Sequence, residues 1–128
     1  MTRFLLICLG GAVGTGARYL LSGWLARLAG PSFPYGTLAV NALGSFLLGL
    51  LMQLALTTEW VPPTLRLALT TGLLGGFTTY STFNYETLGL FEEGAWLFGS
   101  LNVVGTVLLC LAAGAAGIFC GRAAAGSL

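Results

Sequence analysis

Apolar stretches occupy nearly the whole of this chain, and this feature limits the folds that are open to it. Hydrophobic residues make up 56% of the 128 residues, and charged residues only 7%. Since a soluble globular domain carries about 25% charged residues, the sequence predicts a protein that lies in lipid. In a bilayer every backbone polar group must find a partner within the protein, which favours helices. We therefore expect an all-α membrane protein.

Proline, glycine and charged residues interrupt the apolar sequence at three places, near residues 30–34, 59–63 and 92–94. A transmembrane helix needs about 20 apolar residues, and the segments that meet this length are residues 4–28, 35–57, 64–90 and 95–121. The first is longer than the core of a signal peptide, so we treat it as a retained span. Because no linker separates the segments, residues 1–128 are expected to form a single four-helix transmembrane domain.

The charged residues and the cysteines exclude several classes of function. The net charge is +1 and the chain has no histidine, so neither a basic nucleic-acid surface nor an imidazole metal site or Ser/His/Asp triad is available. We therefore expect that the protein is not an enzyme and has no nucleic-acid partner. Cys8, Cys110 and Cys120 lie in apolar segments, and their spacing fits neither a disulfide framework nor a metal clip. We interpret them as small buried apolar residues.

The arginines give the chain only a weak orientation in the membrane. With four spans, the loops and termini on one side carry Arg3, Arg66 and Arg122, and the other side carries Arg27. Positive loop residues set the orientation of membrane proteins, and this imbalance is small. We therefore expect insertion in both directions and an antiparallel homodimer of dual topology. Four short helices also enclose little of a polar pathway alone, which favours an oligomer.

Two of the predicted spans carry polar residues at intervals of four. These residues are Thr37, Asn41 and Ser45 in the second span, and Asn102, Thr106 and Cys110 in the fourth. Residues four apart lie on one helix face, so each helix presents a polar stripe. Such a stripe either joins helices through hydrogen bonds or lines a pathway. Two parallel stripes, each with an asparagine, favour the pathway.

The third span combines two glycines with hydroxyl residues in its middle. Gly75 and Gly76 precede a run of Thr, Tyr, Ser and Phe that ends at Phe83, and this composition destabilises a continuous helix. We expect a break within residues 75–80. Non-helical backbone at membrane depth is tolerated where it is buried in protein or lines a cavity, and broken helices of transporters hold ions with the freed backbone groups. After the break, Tyr80 and Phe83 place two aromatic rings on one face.

Two charged residues within the predicted spans each have two interpretations. Arg18 lies more than halfway along the first span. Its guanidinium either caps backbone carbonyls at a helix end or at the break, or binds a substrate directly, and the structural role is favoured. Glu86 lies three residues after Phe83 and is either a solvated charge of a vestibule or a group of the pathway.

Three glycine-containing motifs occur in order along the first three spans. They are Gly10-Gly11-x-x-Gly14-x-x-x-Arg18-Tyr19, Gly36-Thr37-Leu38-x-Val40-Asn41-x-x-Gly44-x-Phe46-x-x-Gly49 and Gly75-Gly76-Phe77-Thr78-Thr79-Tyr80-Ser81-Thr82-Phe83. Together they resemble the motifs of the Fluc (CrcB) fluoride channels. The resemblance implies a dual-topology antiparallel homodimer with two fluoride pores and a central sodium ion at the dimer interface. It also implies passive fluoride export from the cytoplasm across the bacterial plasma (inner) membrane, which lowers fluoride toxicity.

The resemblance also implies roles for single residues. Asn41 matches the pore asparagine and Phe83 the second aromatic residue of the family's Phe-box, while Tyr80 lies at the first position, where the family usually has Phe. The residues that match the family's hydroxyl positions and polar track are Ser81, Thr82, Thr37, Thr106 and, with the weaker donor of a thiol, Cys110. The residues whose backbone carbonyls match the sodium ligands are Gly75 and Thr78, and Arg18 matches the first-helix arginine. Hydrogen-bond donors of this kind replace the water around a strongly hydrated anion.

Two other classes of membrane protein share parts of this pattern. A small multidrug-resistance transporter has a similar length, four helices and weak topology, but proton-coupled exchange there needs an acidic residue in the first helix. Residues 4–28 contain none. In a structural membrane subunit without transport, the polar stripes would only join helices. A fluoride-efflux assay in liposomes distinguishes such a subunit from a channel.

Overall fold

The structure is a computed structural model that describes residues 1–126, and these residues form helices joined by short loops. The helices among them that are long and apolar enough to cross a membrane are α1 (Thr2–Ala29), α2 (Tyr35–Thr57) and α6 (Trp96–Ala124). They correspond to the first, second and fourth predicted spans. α2 has the predicted bounds, whereas α1 begins two residues earlier and α6 ends three residues later than predicted. The prediction of an all-helical protein is confirmed for the described residues.

The third predicted span consists of short helical segments rather than one long helix. In chain order these are α3 (Pro63–Leu67), a π-helical segment (Ala68–Leu74), α4 (Gly75–Phe77) and α5 (Tyr80–Glu92). α3 begins with a proline, which suits a first turn because the N–H groups there have no partner within the helix. The sequence did not predict the π-helical turns, which are rare and usually single.

The backbone leaves the helical conformation at Thr78 and Thr79, between α4 and α5. Thr78 has φ −86° and ψ 157°, and Thr79 has φ −153° and ψ 118°, which are extended conformations. Gly75 and Gly76, where the predicted break began, are still helical. Glycine lowers the cost of leaving a helix without requiring it, and the hydrogen-bond partner that holds Thr79 extended comes from α2.

Glycines bring the helix backbones into close contact. A Cβ atom at Gly14 of α1 would overlap the Leu73 carbonyl oxygen of the π-helical segment. Likewise, a Cβ atom at Gly117 of α6 would overlap the Phe46 carbonyl oxygen of α2. In lipid, close backbone approach takes the place of the hydrophobic effect that joins helices in water. α1 therefore packs on the π-helical segment, and α6 packs on α2.

The interior of the chain is more polar than its surface. The buried polar residues are Thr37, Asn41, Thr79, Thr87, Asn102 and Thr106, whereas the buried apolar residues are Val40, Leu74, Phe77 and Phe83. Large apolar side chains such as Leu9 and Leu20 are exposed. This distribution is the one expected in lipid, where apolar side chains need no burial and polar groups must find partners inside the protein.

The cysteines correct one expectation from the sequence. Cys8 and Cys120 are exposed rather than buried, and Cys110 is half-buried. A cysteine behaves as a small apolar residue, and the surface of this chain is itself apolar. A cysteine in an apolar segment can therefore have apolar surroundings on the surface of this chain as well as in its interior.

Candidate functional site

A cavity of about 380 Å³ lies between α2, α5, α6 and the residues around the extended backbone. We call it the first cavity. Asn41 and Ser45 line it from α2, and Thr106 and Cys110 line it from α6. Two residues of each polar stripe that the sequence predicts thus face one common space, whereas Thr37 and Asn102 do not line it. No arginine or glutamate lines this cavity within residues 1–126.

The Asn41 side chain holds the extended backbone at Thr79 with two hydrogen bonds. Asn41 Nδ2 donates to the Thr79 carbonyl oxygen over 2.9 Å, and the Thr79 N–H donates to Asn41 Oδ1 over 2.7 Å. We call this pair of bonds the Asn41–Thr79 clamp. An amide nitrogen has two N–H groups, and the clamp uses one of them. Asn41 therefore has a structural role and still has a second donor at the cavity.

The clamp and the Thr79 hydroxyl leave the carbonyl groups of Gly75 and Thr78 without their helical donors. In a continuous helix the Thr79 N–H would donate to the Gly75 carbonyl, but here it donates to Asn41. Similarly, the Thr82 N–H donates to the Thr79 hydroxyl over 3.3 Å instead of the Thr78 carbonyl. Gly75 is exposed and Thr78 is half-buried. These two residues, matched to sodium ligands by the resemblance, thus carry carbonyl oxygens without their usual helical donors.

Two aromatic rings lie beside the clamp at the start of α5. The ring centroids of Tyr80 and Phe83 are 5.6 Å apart, and the ring planes make an angle of 53°. Both residues line the first cavity. Phe83 is 8% exposed and belongs to the packed wall, whereas Tyr80 is 77% exposed and projects from the chain. Ring edges carry partial positive charge, so such rings can border a route for an anion.

A second cavity, of about 880 Å³, is lined by Thr37, Thr82 and Glu86 among other residues. The Thr37 hydroxyl donates to Glu86 Oε1 over 2.8 Å. Glu86 Oε2 is buried and has no hydrogen-bond partner in the described part of the chain. Since Thr37 lies four residues before Asn41, about 6 Å along the helix axis, the two cavities follow one another along α2.

Two residues assigned from the sequence lie outside these cavities. Ser81 lines neither of them, and its hydroxyl is 3.5 Å from the Thr79 hydroxyl. Arg18 is half-buried, and its carbonyl accepts a hydrogen bond from the Ser22 hydroxyl over 2.6 Å. Within residues 1–126 its guanidinium does not cap the carbonyls freed near the extended backbone. The structural role predicted for Arg18 therefore stays a prediction.

Sequence reasoning missed Thr79 and Thr87. Thr79 caps the N-terminus of α5, and a threonine just before a helix is a recognised sequence signal for that position. Thr87 accepts a hydrogen bond from Asn102 Nδ2 over 2.9 Å. No local pattern gives this contact, because the two residues belong to different helices.

The fold and these cavities define a small helical membrane protein whose polar side chains converge on spaces between its helices. A family model described as CrcB-like protein, Camphor Resistance (CrcB), matches residues 5–118. The chain belongs to the CrcB family, as its motifs predicted.

Curated relatives with the name Fluoride-specific ion channel FluC cover almost the whole chain. The protein from Anaeromyxobacter dehalogenans is 58% identical over 113 residues, which are 88% of this chain and 90% of the relative. The protein from Sorangium cellulosum is 54% identical over 122 residues, 95% and 96% of the two chains. The protein from Geobacter sulfurreducens is 55% identical over 122 residues, 95% and 98% of the two chains. These relatives do not favour the multidrug-resistance alternative.

Proposed function

We propose that this chain is the subunit of a fluoride-selective ion channel that exports fluoride passively and lowers its toxicity. The relatives named above carry this activity in their names. The observation that carries the proposal is the first cavity, where amide and hydroxyl groups from α2 and α6 meet at an aromatic wall, with no charged residue among the described ones that line it. Donors without fixed charge can replace the water around an anion and still release it. A channel of this kind is not an enzyme.

The route that we propose runs through both cavities. Fluoride enters at the second cavity, where Glu86 and Thr37 form the vestibule, and passes along Thr82 toward the Phe83 ring. In the first cavity the second N–H group of Asn41 and the Thr106 hydroxyl replace water. Several weak donors in series suit conduction, because no single site traps the ion. Tyr80 borders this route, and Ser81 adds a hydroxyl close to the Thr79 cap.

An antiparallel homodimer is supported by the surface of α5. Polar and aromatic residues are exposed there in the single chain: Tyr80, Ser81, Thr82, Asn84 and Tyr85. Polar groups facing hydrocarbon are costly, so this surface calls for a protein partner. The weak arginine bias allows a second copy to insert in the opposite direction. The Arg18 guanidinium is available for a structural role at that interface.

A sodium ion at the two-fold axis is the proposed cofactor of the dimer. The Gly75 and Thr78 carbonyl oxygens fit this ion because both lack their usual helical donors and neither is fully buried. Two copies would supply four such oxygens, and freed carbonyls of broken helices are known cation ligands. When bound, the ion supplies positive charge that joins the two backbones. This arrangement requires the extended residues to lie near the middle of the plasma (inner) membrane.

Fluoride efflux from liposomes tests the proposed function. The purified protein is reconstituted into vesicles loaded with fluoride or chloride, and a potassium ionophore removes the electrical barrier to anion release. We expect rapid fluoride release and little chloride release. A purified, monodisperse protein that releases no fluoride would instead support a structural subunit. Fluoride release that requires a proton gradient would contradict passive transport.

A further inference from the structure

Asn102 of α6 lies at the centre of a buried chain of hydrogen bonds that reaches both walls of the first cavity. Asn102 is 1% exposed. Its Nδ2 donates to the Thr87 hydroxyl over 2.9 Å, and this hydroxyl donates to the Phe83 carbonyl oxygen over 2.7 Å. We call this chain of bonds the Asn102 relay. It connects α6 to the backbone of the residue whose ring lines the cavity.

The other end of the Asn102 amide reaches Thr106. The Thr106 hydroxyl donates to Asn102 Oδ1 over 3.3 Å. A hydroxyl has one donor, so in this state Thr106 presents lone pairs rather than a proton to the cavity. The bond is longer than the usual O–H···O distance of about 2.7–2.8 Å, and Thr106 can donate to an anion only when this bond is broken.

The position of α5 depends on such contacts more than it would in water. α5 follows two extended residues, and helices in lipid associate through packing and hydrogen bonds without a hydrophobic drive. The Asn102 relay fixes α5 one turn beyond Phe83 and is fully buried, since Thr87 is only 5% exposed. Loss of the Thr87 hydroxyl would leave Asn102 Nδ2 without its acceptor, whereas the Phe83 carbonyl would keep the backbone N–H of Thr87, its donor within α5.

We propose that Asn102 is a positioning residue of the ion pathway. Through Thr87 it holds α5, and with it the Phe83 ring, in place. Through Oδ1 it accepts the Thr106 proton until that hydroxyl turns to the ion, and Asn102 itself does not contact the ion. This inference rests on the proposed channel function. It separates Asn102 from the cavity-lining Asn41, because Asn102 does not line the first cavity.

Thr87 provides the test, because it does not line either cavity. Thr87→Val keeps the side-chain shape and removes the hydroxyl, Thr87→Ser keeps the hydroxyl, and Asn102→Leu removes the amide. Fluoride and chloride efflux from liposomes and the thermal unfolding midpoint are measured for each variant and for the Thr87→Val, Asn102→Leu pair. Thr87→Ala replaces Thr87→Val if the latter gives no monodisperse protein.

We expect the fluoride flux of Thr87→Ser to lie within about twofold of that of the unmodified protein. In Thr87→Val and in Asn102→Leu, the fluoride-to-chloride preference should fall by about fivefold or more, which is the effect of one lost hydrogen bond. The pair should lose no more than the worse single variant, because both changes break the same relay. Reduced selectivity in Asn102→Leu with unchanged selectivity in Thr87→Val would overturn the proposal and indicate direct contact of Asn102 with the ion. Unchanged selectivity in both would overturn it as well.

The thermal measurements separate this inference from the proposed function. If the unmodified protein releases no fluoride, the proposed channel function is contradicted. The Asn102 relay would still be supported if the shifts in unfolding midpoint caused by Thr87→Val and Asn102→Leu are not additive in the pair. Additive midpoints would contradict the relay even in a protein that conducts.

Discussion

Replacement of Asn41 by aspartate should stop fluoride flux while leaving the fold intact. The aspartate side chain is nearly identical in shape, but an oxygen replaces the Nδ2 group that donates to the Thr79 carbonyl over 2.9 Å. The Thr79 N–H bond over 2.7 Å remains, and a bond to a charged acceptor is stronger. One half of the Asn41–Thr79 clamp therefore survives while the Thr79 carbonyl loses its donor, so the proposed dimer should persist with somewhat lower stability.

The loss of flux follows from the charge and the size of the first cavity. A sphere with the cavity volume of about 380 Å³ has a radius of about 4.5 Å. Two like charges at about 4.5 Å repel by about 3.7 kcal/mol at an effective dielectric constant of about 20, which corresponds to roughly 500-fold in occupancy. Screening by water in the cavity lowers this figure, so we expect at least about a hundredfold loss of fluoride flux when the carboxylate is ionised.

Liposome efflux at matched protein density measures this loss, and the elution volume in detergent tests whether the proposed dimer persists. Gln53→Glu is the matched control, because it makes the same amide-to-carboxylate change on α2 about 18 Å further along the axis and lines neither cavity. Asn41→Leu removes both bonds of the clamp without adding charge and should lower stability as well as flux. Normal flux through Asn41→Asp at neutral pH would refute the role of Asn41 as a donor in the pathway.

Four further predictions concern the aromatic pair, the first helix and the orientation of the chain. Tyr80→Phe removes a hydroxyl beside the cavity and should raise fluoride flux by about fivefold with chloride still excluded; equal or lower flux would contradict this. Arg18→Lys keeps the charge but loses the planar donors, so the proposed dimer should dissociate more readily in detergent while anion selectivity is unchanged. A stable dimer with altered selectivity would instead place Arg18 in the pathway. Gly14→Ala should destabilise the protein by about 1–3 kcal/mol in thermal or denaturant unfolding, whereas Gly16→Ala, whose Cβ atom would meet nothing within 4 Å, should not. A label at the C-terminus should react from both faces of the membrane, and labelling from one face alone would contradict dual topology.

The sequence predicts the helices better than it predicts the contacts between them. Apolar runs and prolines were sufficient to locate all of the long helices, because lipid imposes one length and one composition on every span. The stripes at intervals of four correctly indicated that Asn41 and Thr106 face a common space. Helical periodicity determines which residues share a face, so the sequence is sufficient to predict which polar residues of α2 and of α6 lie on one side of each helix.

The remaining features depend on groups that are distant in the sequence. Two glycines predict a break within residues 75–80, and the residues that leave the helix are Thr78 and Thr79. Asn41 binds the backbone of Thr79, and a rule based on composition contains no information about that partner. The sequence indicates Thr37 and Glu86 separately but does not predict the hydrogen bond between them, for the same reason. The close approach of Gly14 in α1 to the π-helical segment is likewise a property of packing between residues distant in the sequence.

The Asn41–Thr79 clamp also constrains the order in which this chain can enter a membrane. Two extended residues in hydrocarbon would expose backbone groups at a cost of several kcal/mol each, so the segment that contains them cannot be inserted as a stable independent helix. The clamp joins residues that are 38 positions apart, and Asn41 is the earlier of the two. α2 is therefore synthesised before Thr79, and it is available to receive the extended backbone when that segment arrives. A circular permutant that placed α2 after α5 would keep the contacts of the folded protein, but α2 would no longer be synthesised before Thr79. We therefore expect such a permutant to insert into the membrane less efficiently, with the stability of the folded protein unchanged.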